Sequence, residues 1–318
     1  MYFLGIDVGS VSTDFVVMND REALIEGFYV KTKGEPIAAI KEGMQNLGIR
    51  YSGDQIAGVG VTGSGRTLAG SIVGADIIKN EITAHAVAST FLNPKVKTII
   101  EIGGQDSKII LTERGMVKDF AMNTVCAAGT GSFIDRQAER LGISINDIGQ
   151  YALRAKNPVR IAGRCAVFAE SDLIHKQQLG CGLENIIAGM CDALVANYLA
   201  NVAKGKKIEQ VVSFQGGVAS NKGIKAAFER QLGFEVIVPE HHKVMGAFGS
   251  ALLAREEMRR SRKSVSNFKG FDLQNYDVDS SVFECKDCSN NCEVIILAAL
   301  GRKVGCFADR CGKYQQAL

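Results

Sequence analysis

Along this chain, apolar runs typical of strands are followed by segments in which apolar residues recur at helical spacing. The pattern predicts strands and helices in turn. Residues 3–19 read FLGIDVGSVSTDFVVMN, two runs rich in β-branched and aromatic residues around a glycine, which predicts strand, turn and strand. Over residues 35–47 the apolar positions recur at the spacing of one helix face. Because this alternation continues through the chain, we predict an α/β fold.

Later segments repeat the order of strand, glycine turn and helix. Further strands are predicted at residues 56–63, at 95–100 with the adjoining EIGGQDSKIILT, at 210–214 and at 234–240. Further helices are predicted over residues 129–141, 167–179, 183–202 and 246–262. After Lys263 the composition becomes polar and irregular, and a cysteine-rich tail follows. We therefore predict a linker over residues 263–281 and a small module over residues 282–318.

Bulk composition narrows the functional classes. The 318 residues suffice for two domains with full cores, and 46% hydrophobic with 22% charged residues is ordinary for a soluble globular protein. A net charge of +3 gives no argument for nucleic-acid binding. No apolar run approaches the roughly 18 residues of a membrane span, and the N-terminus reads as a strand instead of a signal peptide, so we expect a cytoplasmic protein. Nine cysteines in such a protein favour metal or redox chemistry over disulfides.

Three glycine-rich segments are suited to holding a nucleotide: GIDVGSVSTD, EIGGQDSK and FQGGVASNKG. A strand that ends in glycines lets backbone amides approach phosphate oxygens, and an adjacent carboxylate can hold Mg²⁺. The carboxylates are Asp7 and Asp106. The candidate nucleotide-binding residues are Gly9, Ser10, Val11, Ser12, Gly103, Gly104, Gly216, Gly217, Val218 and Asn221.

A different glycine pattern, GVGVTG at residues 58–63, matches the dinucleotide fingerprint GxGxxG. We do not interpret it as a Rossmann site, because the strand involved is not the first strand of the chain. No GxxxxGK[ST] motif is present, which excludes a P-loop ATPase.

Two cysteines stand where small-residue loops turn into predicted helices, Cys126 in NTVCAAGTGSF and Cys165 in GRCAVFAESD. They supply two thiolates, half of what a four-iron cluster normally takes, so two chains related by a two-fold axis would complete the set. Cys181 and Cys191 lie within predicted helices without such flanks, and we expect them to be core thiols.

The segments GIDVGS, VTGSGR, IGGQDSK, CAAGTGSF, CAVFAESD, GGVASN and VPEHHKVMGAFGSAL resemble, in this order, the motifs of 2-hydroxyacyl-CoA dehydratase activators (component A) and benzoyl-CoA reductase ATPase subunits. The resemblance covers residues 1–258 and implies the actin/sugar-kinase/heat-shock-70 superfold. That fold has two ribonuclease-H-like lobes with a nucleotide cleft. The resemblance assigns residues 1–94 to the first lobe, residues 95–245 to the second lobe, and residues 246–262 to a helix that returns to the first lobe.

The resemblance also implies a function, an ATP-dependent one-electron donor. Cys126 and Cys165 of both subunits of a homodimer would bind one [4Fe–4S] cluster, and the cluster would be sensitive to oxygen. A ferredoxin or flavodoxin would donate the electron, and an iron–sulfur dehydratase or reductase would accept it. Asp7 and Asp106 would position Mg²⁺, and Gln105 would orient the water that attacks ATP.

Three positions depart from the family pattern: Glu101 stands where Asp is usual, Ser132 where Arg is common, and Ser64 where an aromatic residue is usual. Only Glu101 lies near the expected phosphates, where its longer carboxylate could alter the metal geometry. His241 and His242 have no other partner at ligand spacing, and we interpret them as turn residues.

The tail contains five cysteines in 27 residues: Cys285, Cys288, Cys292, Cys306 and Cys311. Four of them could bind Zn²⁺ or a second iron–sulfur cluster. The spacing matches neither a standard zinc ribbon nor the ferredoxin run, so the sequence leaves both metals open.

Two other functions compete with electron transfer. A small-metabolite kinase of the same superfold should carry an acidic base and a polar cleft where this chain has CAAGTG. A non-catalytic redox sensor that binds nucleotide would not couple ATP turnover to electron transfer. The acceptor remains open among a 2-hydroxyacyl-CoA dehydratase, an aryl-CoA reductase and a double-cubane-cluster reductase.

Overall fold

The first structural unit is assembled from both ends of the chain and the second from the stretch between them. The computed structural model describes residues 1–123, 129–163, 165–273, 278–299 and 302–314. The first unit comprises Met1–Ala84 with Gly246–Leu318, and the second comprises His85–Met245. Within the described residues, no helix combines the length and apolar character that a membrane span requires.

Among the described residues, strands and helices are interspersed along the chain, with runs of three strands at the start of each large sheet and a run of four helices in the second unit. The strands are β1 (Tyr2–Val8), β2 (Ser12–Asn19), β3 (Leu24–Lys31), β4 (Ile56–Thr62), β5 (Ile77–Ile78), β6 (Thr98–Ile102), β7 (Ser107–Glu113), β8 (Met116–Asn123), β9 (Val212–Gln215), β10 (Val236–Ile237), β11 (Val278–Glu284), β12 (Glu293–Ala299) and β13 (Arg302–Phe307). The helices are α1 (Pro36–Gly48), α2 (Arg66–Val73), α3 (Glu81–Leu92), α4 (Gly131–Leu141), α5 (Ile148–Arg154), α6 (Ala166–Gln178), α7 (Leu183–Asn201), α8 (Lys222–Leu232) and α9 (Met245–Ser261).

The sheet of the first unit has the order β3-β2-β1-β4-β5. β1, β2 and β3 are antiparallel, whereas β4 is parallel to β1 and β5 is parallel to β4. Helix α9 packs so closely on this sheet that a Cβ atom on Gly5 would overlap the carbonyl oxygen of Ala247, and one on Gly60 that of Ser250. Gly60, the second glycine of the GxGxxG match, is therefore required for helix packing.

The sheet of the second unit repeats this topology in the order β10-β9-β6-β7-β8. β6, β7 and β8 are antiparallel, and β9 and β10 add in parallel. Helix α7 crosses its core, where the Tyr198 ring lies edge-on to Phe228 with centroids 5.4 Å apart, and the Tyr198 hydroxyl donates to the Lys108 carbonyl at 2.8 Å. Cys191 of α7 is buried in this core, as expected, and burial raises the pKa of its thiol to about 12.

The boundary between the units falls after Ala84, ten residues before the predicted end of the first lobe at residue 94. The reason is a buried hydrogen-bonded group that ties α3 to β9. The Gln215 side chain contacts His85 Nδ1 at 2.7 Å and accepts from the Ser89 hydroxyl at 2.6 Å. The apolar spacing of α3 alone gives no indication of this polar attachment.

The predicted linker is in part a packed segment of the first unit. Leu273 is buried in the core of that unit, with Phe268 and Phe271 packed against it. The Asp76 carboxylate accepts from the Ser266 hydroxyl and from the Asn267 amide. Residues 274–277 lie outside the described part, and β11 begins at residue 278. The tail beyond forms a three-stranded antiparallel sheet, β11-β12-β13, which the polar composition did not predict.

Candidate functional site

The turn between β1 and β2 presents the first glycine segment. The Gly9 amide donates to the Ser12 carbonyl at 2.9 Å, which closes the turn. Thr32 holds the turn from β3, because its hydroxyl donates to the Gly9 carbonyl and its amide donates to the Val11 carbonyl, both at 2.9 Å. Ser10 and Val11 are exposed at the tip. The turn is thus rigid at its base and open where a phosphate would bind.

Asp7 lies at the base of this turn, opposite Asp14 in the β1–β2 register. The turn after β4 closes over it: Gly63 has a φ of 97°, and a Cβ atom there would lie 2.6 Å from Asp7 Oδ1. The Gly65 amide donates to the Val8 carbonyl at 2.9 Å. Backbone from two turns therefore surrounds the Asp7 carboxylate, and only glycine fits at Gly63.

The turn between β6 and β7 contains a buried ion cluster. Lys108 Nζ lies 3.0 Å from Glu101 Oε2 and 2.8 Å from Asp106 Oδ2. The Lys108 and Glu101 side chains are 3% and 6% exposed, whereas that of Asp106 is 33% exposed. Glu101 therefore has an internal cationic partner directly across the two strands. Gln105 is exposed at the tip of the turn, and its water-orienting role stays a prediction.

The same turn holds the first turn of α4. The Gly131 amide donates to the Gly103 carbonyl at 2.9 Å, and the Ser132 amide donates to the Gly104 carbonyl at 2.8 Å. The Ser132 hydroxyl also donates to Gly104. Ser132, at a position where the family commonly has Arg, thereby takes a local role in joining α4 to the predicted phosphate-binding turn.

The loop after β9 forms the third predicted segment. Gly216 has a φ of 89°, and a Cβ atom there would lie 2.8 Å from Glu101 Oε1. Gly217 is exposed with open space around it, and Val218 beside it is buried. This loop and the β6–β7 turn therefore meet at Glu101.

His242 fixes this loop, a role that the sequence did not predict. Its carbonyl accepts from the Gly216 amide at 2.8 Å, and its Nδ1 contacts the Pro239 carbonyl at 3.0 Å. Because burial lowers the pKa of His242, the ring is neutral near pH 7. Nδ1 then carries the hydrogen, and Nε2 accepts from the Ser220 hydroxyl at 2.8 Å.

Asn221 caps helix α8. Its Oδ1 accepts from the Gly223 amide at 3.0 Å and from the Ile224 amide at 3.2 Å. Its Nδ2 is buried and has no hydrogen-bond partner among the described residues. The predicted nucleotide ligand is thus committed through its oxygen to the helix, and only its amide nitrogen is left for a ligand.

Cys165 is the N-cap of α6, and its sulfur accepts from the Phe168 amide at 3.5 Å. The thiol is half-buried, whereas the next apolar side chains, Val167 and Phe168, are 71% and 66% exposed. A partly exposed thiol at a helix N-terminus suits a thiolate ligand of an iron–sulfur cluster. Cys126 lies outside the described residues.

Asn197 of α7 lies between the segments that carry the two predicted cluster cysteines. It is 2% exposed, and its Nδ2 donates to the Gly163 carbonyl at 2.6 Å, two residues before Cys165. A Cβ atom on Gly129, three residues after Cys126, would lie 3.2 Å from Asn197 Oδ1. No sequence motif marks Asn197, because its neighbours are more than 30 residues away in the chain.

The tail cysteines lie around one end of the third sheet. Cys285 and Cys306 are buried, Cys292 is half-buried, and Cys288 and Cys311 are exposed. Across the described ranges, no three histidine, cysteine, aspartate or glutamate side chains are arranged to hold a metal ion as they stand. The metal of the tail therefore stays a prediction.

Comparison with known proteins gives consistent matches over the first 250 residues or more. The profile of the BadF/BadG/BcrA/BcrD ATPase family matches residues 4–254. The 2-hydroxyisocaproyl-CoA dehydratase activator of Clostridioides difficile is 34% identical over 272 residues, 84% of this chain and 100% of that protein. The (R)-2-hydroxyglutaryl-CoA dehydratase activating ATPase of Acidaminococcus fermentans is 35% identical over 259 residues, 80% of this chain and 97% of that protein.

Comparison with solved structures also finds a dehydratase activator. An activator of the 2-hydroxyisocaproyl-CoA dehydratase from Clostridium difficile, with bound ADPNP, matches with a TM-score of 0.75 and 33% identity. The match covers 85% of this chain and 100% of that one. Since the family profile ends at residue 254, the tail cysteines lie outside it.

Proposed function

Since the chain belongs to the BadF/BadG/BcrA/BcrD ATPase family, we propose that it is an ATP-dependent one-electron donor for an iron–sulfur enzyme. The chain is an ATPase of that family, and its named relatives activate acyl-CoA dehydratases. The proposed acceptor is accordingly a 2-hydroxyacyl-CoA dehydratase or a related low-potential reductase.

Nucleotide binding is assigned to residues of both units. In the first unit, the open β1–β2 turn of residues 9–12 would bind phosphate, and Asp7 would hold Mg²⁺. In the second unit, the turn at Gly103 and Gly104 would contact phosphate. Gly217 and the Nδ2 of Asn221 would contact the nucleoside. Asp106 would support Mg²⁺, and Gln105 would orient the attacking water.

The electron-carrying site is assigned to Cys126 and Cys165 of two copies of the chain. A [4Fe–4S] cluster bound there would supply one-electron transfer at low potential. The half-buried thiol of Cys165 at the start of α6 suits this role, and the exposed Val167 and Phe168 beside it provide an apolar surface for a second copy. A ferredoxin or flavodoxin in the cytoplasm is the proposed electron source.

One series of close contacts supports the proposal, because it runs from the proposed nucleotide residues of the β6–β7 turn to Gly129 and Gly163, which flank the two cysteine segments. The carbonyls of Gly103 and Gly104 hold the first turn of α4, which follows the Cys126 segment. A Cβ atom added to Gly129 would lie 3.2 Å from Asn197 Oδ1, and Asn197 Nδ2 donates to the Gly163 carbonyl, two residues before Cys165. A shift of the β6–β7 turn on ATP binding or hydrolysis would therefore move the supports of both cysteines.

The test is iron and acid-labile sulfide analysis of the full chain purified without oxygen. We expect about two irons per chain, half of a shared four-iron cluster, in addition to ATP turnover. Cys165→Ser should lose this iron, whereas Cys181→Ser, which removes a partly buried thiol of the same unit, should keep it.

Two outcomes would contradict these assignments. Full ATP binding with no iron in the wild-type chain would contradict the electron-transfer function and favour the kinase or the redox sensor. Iron retained equally by Cys165→Ser and Cys181→Ser would show that the assigned cysteine is not a ligand.

A further inference from the structure

All five tail cysteines belong to one end of the β11-β12-β13 sheet. Because the strands are antiparallel, the end of β11, the start of β12 and the end of β13 lie at the same end of the sheet. Cys285 directly follows β11, and Cys292 directly precedes β12. Cys306 is next to last in β13, and Cys288 and Cys311 lie in the adjoining turns. The topology therefore brings together residues that are up to 26 positions apart.

Three of these cysteines belong to one small packed cluster. Cys285 and Cys306 are 8% and 1% exposed and form this buried cluster with Val294, and Cys292 packs against the cluster. The Cys285 amide donates to the Cys292 carbonyl at 2.8 Å, which continues the β11–β12 ladder beyond the last strand residues. Three cysteines of one cluster offer most of the four thiolate ligands that a structural zinc ion takes.

The segment after β13 folds over the same end. The Tyr314 amide donates to Asp309 Oδ2 at 2.7 Å, and the Tyr314 hydroxyl donates to Cys285 Sγ at 3.8 Å. Asp309 is 6% exposed, and its Oδ1 has no hydrogen-bond partner among the described residues. A buried carboxylate oxygen without a donor is costly, and a nearby cation would offset that cost.

Cysteines make up much of the buried cluster at this end of the sheet. Among the described residues of the tail, the cluster consists of Cys285, Val294 and Cys306, so two of its three members are cysteines. Small cysteine-rich modules usually depend on disulfides or a structural metal, and the described cysteines are not bonded to one another. A metal site is therefore the role that these free thiols suit best.

We propose that Cys285, Cys288, Cys292 and Cys306 bind one structural Zn²⁺ ion. Zinc in structural sites takes four tetrahedral ligands, and Cys285-x2-Cys288 has the ligand spacing of such sites. Cys288 is chosen over Cys311 because it shares the β11–β12 turn with two of the three packed thiols. The thiols are not arranged around a metal as they stand, so binding is coupled to a rearrangement of the four cysteine side chains. This site does not depend on the proposed electron-transfer function.

The experiment compares two exposed cysteines of the module. The full chain is purified and its zinc is measured by mass spectrometry; we expect about one zinc ion per chain. Cys288→Ser should lose most of the zinc, and the matched variant Cys311→Ser should retain it. Cys165→Ser should also retain it, which separates the tail from the iron site of the second unit.

A second measurement does not depend on any variant folding. Co²⁺ introduced in place of zinc into the wild-type chain should give the strong ultraviolet sulfur-to-cobalt absorption of thiolate ligands. Wild-type chain without zinc, zinc lost from Cys311→Ser but not from Cys288→Ser, or iron and sulfide lost from Cys288→Ser would each overturn the proposal.

Discussion

The two five-stranded sheets have the same strand order, but the residues paired at the ends of their first two strands differ in kind. In the first sheet, Asp7 faces Asp14 across β1 and β2. In the second, Glu101 faces Lys108 across β6 and β7, with Nζ and Oε2 3.0 Å apart. One topology therefore supports a like-charged pair in one unit and an ion pair in the other.

We interpret this difference as a division of roles between the two turns in binding a nucleotide: one holds the metal ion and the other supports the phosphates. Two aspartates opposite each other at the ends of paired strands offer the carboxylate oxygens that Mg²⁺ prefers as ligands. Lys108 already neutralises Glu101 and also contacts Asp106. We therefore expect Asp7 to be the main Mg²⁺ ligand and the β6–β7 turn to act as a rigid phosphate support.

The largest effect is expected from Lys108→Met, which leaves Glu101 buried without its cation. Breaking a buried ion pair in this way costs about 3–5 kcal/mol. The free energy of unfolding, measured by urea denaturation without nucleotide, should fall by that amount. Lys118→Met is the matched control in the same sheet, since its pair with Glu113 is more than half exposed and should cost less than about 1 kcal/mol. Equal losses in the two variants would contradict the assigned burial.

The next effect concerns catalysis. Asp7→Asn removes the carboxylate proposed to hold Mg²⁺, so we expect a loss in kcat for ATP of about 10²–10³-fold. Asp106→Asn should lose less, because Lys108 already engages Asp106. Asp54→Asn, at an exposed site of the first unit, is the control. A larger loss in Asp106→Asn than in Asp7→Asn would reverse the proposed division of roles.

The elements with strong periodicity were predictable, and the contacts between them were not. Helix α6 begins and ends within one residue of its predicted range, and the predicted glycine turns lie at the ends of their strands. The partners of Asn197 and His242 were missed, because such contacts depend on how helices and loops pack and leave no local pattern. The strands of the tail were not predicted, although the apolar run VIILAAL at residues 294–300 is a strand signal; the spacing of the cysteines was interpreted instead. The Cys126 prediction lies outside the described residues.

A second pair of equivalent turns extends the comparison of the two sheets. The strand that pairs in parallel with the first strand is β4 in one unit and β9 in the other, and each leads toward a helix. Helix α2 has Gly65 as its N-cap, with no side-chain hydrogen bond, whereas α8 has Asn221, whose oxygen accepts two backbone amides. Only the second turn therefore combines a helix cap with a candidate nucleotide ligand.

The smallest expected effect separates these two functions of Asn221. Asn221→Ser keeps a capping oxygen but removes the Nδ2 donor without adding a charge, so stability should change by less than about 0.5 kcal/mol. ADP affinity, measured by calorimetry, should fall by about 3–10-fold, the value of one hydrogen bond. Asn221→Ala removes both groups and should also cost about 1 kcal/mol of stability. If both variants bind ADP as tightly as the wild-type chain, Asn221 serves α8 alone, and the nucleoside is held by the backbone around Gly217.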